Sequence, residues 1–152
     1  YQDHPDGVSF ETTMERGKPS VIVRTGIVAD RAFSGMRKAI AALASAGNDL
    51  IVDEVILGNV TEVILGNVTM EHGNVLSDYK MLLAPFQLHL VGVHASLEIL
   101  EDRERQRGDR LVGLARWQYD RVHEGIDYDL EIDTEFISPS ECAIMIRDRF
   151  NL

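Results

Sequence analysis

At 152 residues, 45% of them hydrophobic, the chain can build one domain with a real core and is neither low-complexity nor disordered by composition. A net charge of −10, from 25 acidic against 15 basic side chains, argues against nucleic acid or an anionic membrane as a partner. The lone Cys142 excludes an internal disulfide and suits a reducing cytoplasm, and no apolar run approaches the roughly 20 residues that cross a bilayer.

Residues 1–19 are polar and punctuated by Pro5, Gly7, Gly17 and Pro19, which predicts loop with at most a short strand at Val8 to Phe10. Ser20 to Thr25 is a short strand candidate. Ala29, Ala32, Phe33, Met36, Ile40, Leu43 and Ala44 then recur at helical spacing, with Gly47 as the stop. Leu50 to Leu57 is β-rich and predicts a strand buried on both faces, interrupted by Asp53 and Glu54. A carboxylate near the end of such a strand commonly orients Mg²⁺ beside a nucleotide, so Asp53 is the candidate metal residue; the structural alternative is a simple strand-end flank.

Glu54 to Thr61 is repeated letter for letter at Glu62 to Thr69. A single eight-residue copy is too short for a repeat architecture, so only one copy is expected to continue the strand. Leu76 to Ala84 is a short helix candidate ended by Pro85, and Phe86 to Val93 a second buried strand. Ser96 caps the next helix, which Gly108 ends or bends, and Leu111 to His123 predicts a further helix. Asp127 to Asp133 alternates acidic with apolar residues, a strand with one wet face. Ser138-Pro139-Ser140-Glu141 is a capping box opening a helix that runs through Phe150. Helices alternating with strands predict an α/β domain with a parallel sheet flanked by helices.

Arg103, Arg107 and Arg110 stand at i, i+4 and i+7, so a continuing helix would align them on one face where phosphate oxygens could be held. Glu101 with Arg105 and Glu104 with Arg107 have ion-pair spacing, which would make part of this run an ordinary solvated face. Arg110, beyond Gly108, lacks such a partner and is the stronger candidate. Trp117 and Tyr119 are expected to pack or to shape a pocket wall. His123 stands at a helix end, His89 inside a strand, and Cys142 in a core-facing helix position.

LIVDEVILG, LHLVGV, RERQRGDR, LVGLARWQYDRVHEG, DYDLEIDT and the SPSECA helix resemble, in that order, the chloramphenicol phosphotransferase family of P-loop kinases. The resemblance implies transfer of the ATP γ-phosphate to a hydroxyl of a small molecule, an antibiotic in the named case, with Mg²⁺. It puts Asp53 at the Walker B position and Arg103, Arg107 and Arg110 in a lid, expected over 96–125, that closes over the phosphates of ATP. The chain departs from the family in lacking GxxxxGK[ST], the loop whose N–H groups cradle phosphates. Its sole Gly-Lys, Gly17-Lys18, is followed by Pro19 and has Thr12 where the first glycine belongs.

The expectation is therefore one incomplete P-loop kinase-like domain over residues 1–152, missing the first strand, P-loop and first helix, and beginning at Tyr1 inside a longer protein. Alone it is expected to be inactive. The alternatives are a nucleoside-type or other small-molecule kinase, and a non-catalytic nucleotide-binding remnant. A second copy of the chain is one way to cover sheet edges left open.

Overall fold

A computed structural model describes residues 4–57 and 75–152. Strands β1 (Val8–Glu15) and β2 (Lys18–Thr25) form an antiparallel hairpin with Val8 opposite Thr25 and Glu15 opposite Lys18. The expected loop over 1–19 is thus largely strand. Arg16 and Gly17 both have positive φ, 50° and 77°, the two-residue turn whose twist matches paired strands. The Gly-Lys pair belongs to this turn, and Pro19 is tolerated because a two-stranded ribbon has open edges.

Helix α1 (Ile27–Ser45) follows, as its apolar spacing predicts, and packs on α2 (Val75–Leu82). Ala29, Leu76, Tyr79 and Leu83 are buried around this contact, and Arg37 Nη2 lies 3.0 Å from Asp78 Oδ2 across it. The segment between the two helices carries the main correction. Residues 48–56 form no strand; Leu57 makes an isolated bridge with Val122, and Ile51 is fully exposed. β-propensity alone does not make a strand when no neighbour runs alongside to take its N–H and C=O groups. The rest of the duplicated octapeptide lies outside the described residues.

Among the described residues the parallel arrangement is that of β3 (Val91–His94) and β4 (Leu130–Asp133), paired Val91 to Leu130 and His94 to Asp133. Residues 86–90 do not join β3, although Leu90 bonds Asp129 through both backbone and side chain. Helices α3 (Leu97–Arg107), α4 (Leu114–Tyr119) and α5 (Pro139–Phe150) complete the described elements. The helix expected over 111–123 shortens to α4, and His123 leaves the helical region with φ 77°. β2 packs on α4, where Val21, Ser20 and Trp117 are buried, and Ile132 is buried on β4. The fold is α/β, and the described residues hold two small two-stranded sheets.

Candidate functional site at the arginine loop

Leu97, Leu100, Glu101 and Glu104 share one face of α3, so the two carboxylates point inward with the leucines. They do not form the expected pairs with Arg105 and Arg107. Glu101 pairs with the buried Arg116 of α4, and Glu104, 5% exposed, accepts from Gly113 N and Ala115 N at 2.7 Å each. Arg105 instead pairs with Asp102.

α3 ends at Arg107 because Gly108 takes the left-handed conformation, φ 67°, so Arg110 is carried off the helical face. The three arginines consequently have three different surroundings. Arg103 donates to Thr134 Oγ1 at 2.9 Å and Thr134 O at 2.8 Å, and Thr134 is itself bonded through N and Oγ1 to the His94 carbonyl. Arg103 thus ties α3 to the carboxyl ends of both parallel strands, the edge where open α/β sheets take ligands. Arg107 pairs with Asp109, Nε to Oδ1 at 3.3 Å. Arg110 is exposed and has no hydrogen bond or ion pair among the described residues.

Asp53 is exposed on the irregular segment 48–56, while its neighbour Glu54 accepts the hydroxyl of the buried Tyr79. Burial, reinforced by Glu54, pushes the Tyr79 phenol well above its ordinary value. Among the described residues, no group of three or more His, Cys, Asp or Glu is placed to hold a metal ion.

Beside the strand ends sits a cluster absent from the sequence reading. The His94 and His123 rings are 4.1 Å apart, and His123 Nδ1 is 2.7 Å from the Tyr128 hydroxyl. His94 Nε2 lies 3.0 Å from Glu131 Oε2, outside hydrogen-bond geometry. Burial holds the His123 imidazole below its ordinary range, helped by His94 and opposed by Glu131 and a bond to the Val93 backbone. A neutral ring with a bare Nδ1 accepts from the Tyr128 hydroxyl, whose own pKa burial raises.

The family described as chloramphenicol phosphotransferase-like protein matches residues 6–151. The chain belongs to that family. Two relatives from Mycobacterium tuberculosis, strains CDC 1551 / Oshkosh and ATCC 25618 / H37Rv, carry the name "putative O-phosphotransferase" and are each 28% identical over 147 residues. Those residues are 96% of this chain and 59% of each relative, so the chain spans about three fifths of the length of the curated relatives it matches.

Arg107 and Arg110 are exposed at and just beyond the end of α3, Gly17-Lys18 turns a hairpin, and Asp53 stands on irregular chain. Sequence reasoning missed Glu104. Its position on the Leu97–Leu100 face was the available signal, because a charge on an apolar stripe must find a partner or lose hydration.

Proposed function

We propose that residues 1–152 are the arginine-bearing part of a P-loop kinase-like domain whose whole protein phosphorylates a hydroxyl of a small molecule, with an antibiotic as the first acceptor class to test. The reading draws on family membership; the observation that carries it is the exposed Arg110, without a hydrogen bond or ion pair among the described residues, on the short stretch between Arg107 and the anchored Gly113. In this reading MgATP supplies the phosphoryl group. Arg110 neutralises charge on its oxygens during transfer, Arg107 assists, and Arg103 fixes the helix to the strand ends. Asp53 is the proposed partner of Mg²⁺, and the protein works in the cytoplasm without nucleic acid or membrane. No helix among the described residues is long and apolar enough to cross a bilayer.

Calorimetry with MgATP on the natural gene product, followed by a screen of hydroxylated antibiotics, tests the reading directly. In that protein Arg110→Ala is expected to lower kcat by roughly 10²-fold or more, with a milder effect on ATP affinity. An unchanged kcat would remove Arg110 from the reaction.

A further inference from the structure

We propose that Glu104 is a positioning residue: its carboxylate anchors Gly113 and Ala115 and so fixes the stretch 108–112, which carries Arg110 and follows Arg107 at the end of α3, for these arginines to meet a phosphoryl group. The proposal rests on the kinase reading above for the role of the arginines, and on geometry alone for the anchor.

Both Glu104 oxygens are used, Oε2 by Gly113 N and Oε1 by Ala115 N, each at 2.7 Å. Charge-assisted bonds of this length, from a side chain 5% exposed, set direction as well as distance. Gly113 is held from its other side too. Its carbonyl accepts from Val21 N at 3.2 Å, and a Cβ there would come within 2.8 Å of the Pro19 carbonyl and Ser20 Cα. With φ 104°, no other residue type sits there without strain.

Glu101 repeats the pattern one turn earlier by pairing with Arg116, and Lys18 Nζ of the hairpin stands 4.0 Å from the same carboxylate. The chain between Arg107 and Gly113 is therefore a span between two fixed supports, the α3 terminus and the hairpin-backed start of α4. An apolar side chain would cover the same face with less desolvation, so what the carboxylate adds is the orientation of those two amides. Glu104→Gln keeps one acceptor oxygen and sets an NH2 donor against the other amide, so one of the two backbone donors loses its acceptor and that end of the span is loosened.

The test uses the full-length gene product with Glu104→Gln, Arg110→Ala and the double variant, assayed by MgATP turnover with chloramphenicol as acceptor and, separately, with water. Glu104→Gln is expected to lower kcat roughly 10-fold or more with KM for ATP nearly unchanged. The double variant is expected to be no slower than Arg110→Ala alone by more than about 3-fold, because Glu104 acts through the arginine. Multiplicative losses would show that Glu104 acts by general destabilisation and would overturn the proposal.

Amide exchange reads the anchor without any reaction. Gly113 and Ala115 amides should be protected in the wild type, and at least one of them should exchange at least about 10-fold faster in Glu104→Gln. Wild-type amides that exchange freely would overturn the anchor even if the variant fails to fold. A wild-type protein that turns over no MgATP would overturn the kinase reading and the catalytic half of the proposal. Protected amides would still uphold the anchor, so the two failures are distinct.

Discussion

His123 combines a left-handed backbone, a half-buried ring and a neighbouring imidazole, and each bears on how the fold responds to acid. Its folded pKa lies below the ordinary 6.5, so between the two values the unfolded chain binds more protons than the folded one. Stability from this residue is complete above about pH 6.5 and is lost as pH falls through the folded pKa. Thermal unfolding should accordingly show a lower midpoint at about pH 5.5 than at about pH 7.5, with His123→Asn flattening the difference. Asn is the replacement of choice because it tolerates positive φ. An Asn variant with the wild-type slope would assign the effect to other groups. Glu141, whose carboxyl is held low by its bonds to Ser138, acts in a more acidic window and does not confuse the measurement.

At the scale of elements, α5 shows local chemistry written plainly in the sequence. Ser138 Oγ accepts from Glu141 N at 3.3 Å, Glu141 Oε2 accepts from Ser138 N at 2.7 Å, and Pro139 opens the helix. Ser138→Ala should cost about 1 kcal/mol, read as a fall in the denaturation midpoint, while Ser138→Thr, which keeps the hydroxyl that also donates to Glu141 Oε2, should cost little. A full loss with Thr would mean that the cap bonds are not what the serine contributes. α1, α2, the start of α3 and the alternating β4 were legible for the same reason: capping and periodicity act within a few residues. The β1–β2 hairpin was obscured because glycine and proline mark turns and loops alike. The segment 50–57 failed in the opposite direction, since a strand depends on a distant partner that its own residues do not specify. At the arginine loop the residues were visible and their arrangement was not. Whether Glu104 pairs along its own helix or reaches α4 is decided by packing.

At the scale of the whole molecule, few of the described residues are buried. α5 has no fully buried residue, α1 buries only Ala29, and Ile51, Met81 and Phe136 are 101%, 69% and 86% exposed. β3 and β4 pair with each other and with no further strand among the described residues. Surfaces of this kind seek cover. The 152-residue chain on its own is expected to sediment as more than a monomer at about 50 μM and to bind an apolar dye. A dye-free monomer would mean that these side chains are covered within the chain.

Because Gly113 rests on the backbone of Pro19 and Ser20, the strand β2 takes part in whatever the arginines do while contributing none of Arg103, Arg107 or Arg110. In a saturation library scored for turnover and for abundance, bulky replacements of the fully buried Ser20 overfill this contact and should lower both, although Ser20 carries no charge. Inheritance of the activity would then depend on a hairpin that an inspection of charged residues alone would discard.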